Sequence, residues 1–274
     1  MTTTDTPIHA LDADAVRAQV RDHYGAIARA GCGPGCCGGP STQLGYSPAD
    51  QAAVPDGADL GLGCGNPTAL ASLRPGETVL DLGAGGGFDC FLAARAVGPT
   101  GRVIGVDMTP DMVTLARANA RKVEAANVEF RLGEIEHLPV ADASVDVIMS
   151  NCVINLAPDK AAVYAEAFRV LRPGGRLAIS DVVALVPLPP EVRAQAAAYT
   201  ACVSGAEHID RVRALLGELG YVDVAVDPVP TSAAIVDGWV AGASRYIASA
   251  TITARKPGGG PRPKAACCDP GCCA

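Results

Sequence analysis

Three cysteines occupy places where a chain can bring side chains together from a distance. Cys64 stands just ahead of a glycine-rich loop, Cys152 follows an apolar strand, and Cys202 falls in a later helical stretch, fifty positions on. Thiolates are soft ligands, and three that meet at one point suit a soft, three-coordinate, pyramidal ion such as arsenite. Any one of them alone reads as a small core hydrophobe, so the reading rests on the set. A second constellation sits between them, Asp81-Leu82-Gly83-Ala84-Gly85-Gly86-Gly87. Gly83, Gly85 and Gly87 after a strand permit a tight turn and close approach of backbone to a nucleotide-like ligand. Asp107 closes the next strand about 20 positions beyond Gly87, where a carboxylate accepts from ribose hydroxyls. Asp81 would add negative charge beside a pyrophosphate. It suits a sulfonium ligand with a cationic amino-acid end, so S-adenosylmethionine fits better than a dinucleotide.

These residues need a frame. Apolar runs at 78–82, 102–106, 128–132, 145–150 and 176–182 alternate with helical patterns at 88–97, 110–125 and 160–171, the last stopped by Pro173-Gly174-Gly175. Such alternation predicts an α/β fold, a mostly parallel sheet covered by helices on both faces. Residues 221–226 and 246–254 read as closing antiparallel strands, which makes seven. Residues 185–216 break the rhythm as a helical insert. Ahead of the sheet, Val16, Val20, Tyr24 and Ile27 share one helical face. The expected organisation is an N-terminal helix and Cys-rich loop over 1–60, a methyltransferase domain over 61–255, and a disordered Cys-rich tail over 256–274.

Composition narrows the partners. The net charge of −7 argues against nucleic acid or an anionic membrane. No apolar run approaches the roughly 20 residues of a membrane span. The N-terminal stretch carries no secretory pattern, and a cytoplasmic, monomeric protein is expected. In that compartment 11 cysteines point to metal or redox chemistry. None forms a Cys-x-x-Cys pair, so a zinc ribbon is not the better reading. His9, His23, His137 and His208 show no ligand spacing with the cysteines, and Glu134 and Glu136 are read as contacts to cofactor or solvent.

Asp81 through Cys90, Val106-Asp107-Met108, Gly63-Cys64-Gly65 and Ser150-Asn151-Cys152-Val153-Ile154-Asn155-Leu156 resemble the arsenite S-adenosylmethionine methyltransferases over roughly residues 60–255. The resemblance implies a Rossmann-like class I methyltransferase. Cys64, Cys152 and Cys202 would hold As(III) as it takes a methyl group from S-adenosylmethionine, a detoxification of arsenite and of methylated trivalent arsenicals. It also implies cofactor contacts from the 83–87 loop, from Asp107 and Met108 at the ribose, from Ile135 and Glu136 near the adenine, and from Asn151. Within the resemblance Cys90 is a redox candidate, able to pair with Cys64; as a bare sequence feature it reads equally as core. Leu62 departs from the aromatic residue of animal and algal members, and the extra C-terminal domain of larger members is not expected after the closing strands.

Methylation formally oxidises arsenic, so a thiol reductant is required. Protein thiols (Cys90 with Cys64, or the Cys36-Cys37 region), thioredoxin and glutathione all stay open. Two other functions stay open as well: a methyltransferase for a small organic acceptor, and a non-enzymatic, thiol-rich arsenic-binding protein.

Overall fold

The computed structural model describes residues 11–30, 41–193 and 196–258. Cys32, Cys36, Cys37 and the tail cysteines lie outside them. The chain opens with α1 (Ala13–Ala30), whose apolar face buries Val16, Val20 and Ile27. Two short helices follow, α2 (Pro48–Ala52) and α3 (Pro67–Ala71), each started by a side-chain cap, Ser47 and Asn66. The alternating core is then β1 (Thr78–Leu82), α4 (Phe88–Val97), β2 (Arg102–Asp107), α5 (Pro110–Lys122), β3 (Val128–Leu132), β4 (Val145–Asn151), α6 (Lys160–Val170) and β5 (Leu171–Ala184). The chain ends through α7 (Pro190–Arg193), α8 (Ala196–Thr200), β6 (Glu207–His208), α9 (Ile209–Glu218), β7 (Val222–Pro228), α10 (Ala233–Trp239) and β8 (Ile247–Arg255).

One sheet runs in the order β3-β2-β1-β4-β5-β8-β7. Pairings from β3 to β5 are parallel, and β8 runs antiparallel to both β5 and β7. The expected seven strands are present, with an eighth: the two-residue β6 pairs with β5 and ties the 185–216 stretch to the sheet. Pro173-Gly174-Gly175 does not precede β5 but lies inside it, where the β4–β5 register shifts between Val145 and Val147. Proline lacks a ladder N–H, so it is accommodated at that irregularity.

The central strands are apolar throughout because helices cover both faces. Leu80, Leu82, Ile148 and Ile179 pack on one side of the sheet, and Val79, Val103, Val147 and Met149 on the other. Chain order reverses between β1 and β4, so their carboxyl ends diverge into a crevice. The site residues gather there. No helix among the described residues is long and apolar enough to cross a membrane.

Candidate active site

The turn after β1 depends on glycine. Gly83 has φ +69°, and a Cβ there would collide with Val153. Asp107 then fixes the turn, accepting from the Gly85 N–H at 2.9 Å and the Thr109 N–H at 2.8 Å. Burial raises its carboxyl, and those two donors offset only part of that rise. With two backbone donors on its carboxylate, the Asp107 side chain is aimed before any ligand arrives.

Behind the loop lies a group of carboxylates. Asp81 is 3% exposed and Asp89 8%. Burial is the main cause that raises both, and for Asp81 the charge of Asp89 adds to it. The Tyr46 hydroxyl donates to Asp89 at 2.6 Å, and Thr68 donates to the same oxygen at 3.1 Å. Asp59, Asp81, Asp89 and Asp107 all line one cleft. Its only lysine or arginine side chain among the described residues is Arg17, bound to Glu134 and Glu136. A pocket of that sign favours a cationic ligand.

Ile135, Glu136 and Met108 border the same cleft, as does Asn151. Asn151, however, spends its amide within the protein. It donates to the Gly65 carbonyl at 2.8 Å and to the Tyr46 hydroxyl at 3.0 Å, and it accepts from the Cys64 N–H at 3.0 Å. Gly63 permits this, since a Cβ there would meet the Asn151 amide nitrogen at 2.8 Å. Asn151 thus holds the Gly63-Cys64-Gly65 turn against the end of β4. Glu136 is likewise engaged, by Arg17 at 3.1 Å.

On the far wall stand the cysteines. Cys64, Cys152 and Cys202 share one buried cluster with Val20, Leu156 and Val203. Cys64 and Cys152 are bonded as a disulfide, with Cα atoms 5.9 Å apart. The Cys202 thiol donates to the Cys152 carbonyl at 2.9 Å. Cys152 and Cys202 both border the cleft. Both also hold left-handed backbone, φ +55° and +61°, an arrangement that costs a non-glycine residue on the order of 1–3 kcal/mol. Surrounding bonds enforce it at Cys152, whose N–H reaches the Ser180 carbonyl at 2.8 Å.

Cys90 needs a correction. It is not paired with Cys64, which is bonded to Cys152; it lies in a different cluster, with Val79, Phe91 and Val103. Its thiol donates to Asp81 at 3.2 Å. Burial pushes that thiol well up, and Asp81 adds to the effect, so it stays neutral and poorly suited to exchange.

Sequence reasoning missed Arg17, Tyr46, Asp89, Asp181 and Trp239. Asp181 in particular is buried beside the disulfide. For Asp89 the acidic position two residues past Gly87 was an available signal. Nothing local pointed to the others.

A family model described as a methyltransferase domain matches residues 73–220. An arsenite methyltransferase of Halobacterium salinarum is 52% identical over 272 residues, covering 92% of this chain and 70% of the relative. One from Aquipseudomonas alcaligenes is 41% identical across 69% of this chain; the chain spans 56% of that relative's length. Among solved structures, an arsenic(III) S-adenosylmethionine methyltransferase from Chlamydomonas reinhardtii superposes with a TM-score of 0.63 at 36% identity, over 77% of this chain and 74% of that one.

Proposed function

This chain belongs to the arsenite methyltransferase family, and from that premise we propose that it methylates arsenite, held by the thiolates of Cys64, Cys152 and Cys202. The observation that carries the reading is the meeting of these three residues in one buried cluster, two of them, Cys152 and Cys202, bordering a cleft that the glycine loop and its carboxylates also line. They arrive from a loop before β1, the end of β4 and the turn after α8.

The residues present fit the methyl donor. Asp81 and Asp89 would neutralise its ammonium end, Asp107 would take the ribose hydroxyls, and Ile135 with Glu136 would meet the adenine. S-adenosylmethionine supplies a methyl group on a positively charged sulfur. Two protein walls then do the rest: one fixes the donor's direction, the other holds arsenic with its lone pair facing away from three sulfurs and into the cleft. Methyl transfer to that lone pair requires no proton to be removed. The work is alignment, a source of about 7–11 kcal/mol when two reactants are well held.

The bond between Cys64 and Cys152 represents the oxidised form of this site. Arsenic captures thiolates, so two electrons must first open the disulfide, and thioredoxin or glutathione thiols are the proposed donors. Each methylation takes arsenic formally from the trivalent to the pentavalent state, and a second pair of electrons from thiols returns it. Cys152, on the cleft, is the sulfur an outside thiol would meet.

The test is chromatography of arsenic species after incubating the reduced protein with arsenite, S-adenosylmethionine and a thiol. Wild type is expected to form methylated arsenic and Cys152→Ser to form at least about a hundredfold less. Equal turnover in the two would reject the assignment.

A further inference from the structure

Asp181 takes no part in the reaction proposed above, although it lies beside it. One of its carboxylate oxygens and the sulfurs of Cys64 and Cys152 all fall within 4.8 Å of one another. Cys202 stands outside that group, its thiol turned to the Cys152 carbonyl. Asp181 is only 2% exposed. It accepts from the Ile154 N–H at 2.9 Å, the Asn155 amide at 2.9 Å and the Val182 N–H at 2.7 Å. Just one of those bonds, from Ile154, falls on Oδ2, and a carboxylate oxygen can accept two. Among the described residues Oδ2 therefore has a lone pair to spare, and the carboxylate stands beside two sulfurs. Burial raises the carboxyl to about 6, and the positive charge of Lys160 offsets part of that rise.

We infer that the reduced Cys64–Cys152 pair and Asp181 form a binding site for a divalent thiophilic cation of the zinc and cadmium class. Two thiolates and a carboxylate with one position left to the cleft make a familiar set of donors for such ions. In a tetrahedral site the donor atoms lie about 3.5–3.8 Å apart, so once the disulfide is reduced the two sulfurs must part, and the Asp181 oxygen must close by roughly an ångström at most. The chemistry balances without further partners. A supplied reductant gives the disulfide two electrons, and the cation replaces the two thiol protons, which pass to solvent. Asp181 then separates the two classes of ion. Arsenite stops at three sulfurs and keeps a lone pair where a fourth donor would sit. A divalent ion has no such lone pair and gains from the oxygen. The site shares two cysteines with the proposed arsenic centre but does not depend on that reading.

The experiment uses the full chain with Cys32, Cys36, Cys37, Cys267, Cys268, Cys272 and Cys273 each replaced by serine, reduced with a phosphine and desalted without oxygen. Zinc is titrated against a chromophoric chelator, and arsenite is titrated separately. One zinc should bind per chain and be displaced by arsenite. Asp181→Asn should weaken zinc at least about tenfold and leave arsenite within about threefold. Unchanged zinc affinity in Asp181→Asn would overturn the inference, as would unchanged zinc affinity in Cys152→Ser. Should Asp181→Asn fail to fold, X-ray absorption of the zinc-loaded parent decides. A mixed sulfur and oxygen shell supports the site, and a shell of sulfur alone or without sulfur overturns it. Zinc binding that persists while arsenite fails to bind would count against the arsenic reading and leave this one standing.

Discussion

The two walls of the cleft are made from different material. On the donor side, the working groups sit at the carboxyl ends of β1 and β2, and Asp107 is already bound to two backbone N–H groups. Strands buried on both faces hold them, so little has to be ordered when a ligand arrives. On the thiol side, Cys64 and Cys202 belong to turns, and both Cys152 and Cys202 keep left-handed backbone. Their sulfurs exist here in one of two chemical states, with Cys64 and Cys152 joined. The lesson is one of division of labour. A rigid cradle suits a ligand of constant shape, whereas a trap for a reactive ion needs parts that can bond, release and bond again. Strain is tolerable on that side because it keeps thiols where the relaxed chain would not.

The largest expected effect breaks the thiol wall alone. Cys202→Ser should lower the rate of arsenic methylation about a hundredfold or more, while calorimetry finds S-adenosylmethionine affinity within about threefold of wild type. If donor affinity collapses as well, the walls are not separable. The mirror experiment is Gly83→Ala. Its Cβ would run into Val153 at a backbone angle side chains rarely adopt, and overpacking of this kind costs about 1–3 kcal/mol. Donor affinity should fall on the order of tenfold or more, with arsenite binding to the reduced protein unchanged.

A third test concerns charge. Asp81 and Asp89 are both raised, so the pair keeps protons to higher pH than ordinary carboxylates do. A cationic ligand favours the ionised forms and expels protons, so donor affinity should climb as pH rises through the range in which the pair titrates. Calorimetry in buffers of different ionisation heat should register the released protons, and Asp81→Asn should release fewer. Proton uptake in place of release would reverse the electrostatic argument. The smallest effect is expected from Tyr46→Phe. The hydroxyl serves Asp89 and Asn151, and its loss should cost about 1–2 kcal/mol of stability, read by chemical denaturation, with a few-fold loss of donor affinity.

Much of the donor wall was legible in the chain itself. The ranges of β1, α4 and β3 match their sequence patterns at both ends, because doubly covered strands are apolar without interruption and the glycine turn marks the boundary. Asp81, Asp107 and the loop could be read for the same reason: their roles follow from local order. The thiol wall was legible as a set of cysteines but not as an arrangement. The bond between Cys64 and Cys152 joins residues 88 apart, and the Arg17–Glu136 contact spans 119. Asp181 reads as one more polar residue near a strand's end, and only the packing of β5 beside β4 brings it to the sulfurs. Cys90 misled because its position near the loop is local, whereas the choice of Cys152 as the partner of Cys64 is a tertiary fact.

Arsenic X-ray absorption of the reduced protein loaded with one equivalent of arsenite tests the central claim most directly. The account predicts a shell of three sulfurs with no oxygen, changing to two sulfurs and one oxygen in Cys202→Ser. A wild-type shell of two sulfurs and one oxygen, unaltered by that substitution, would contradict it.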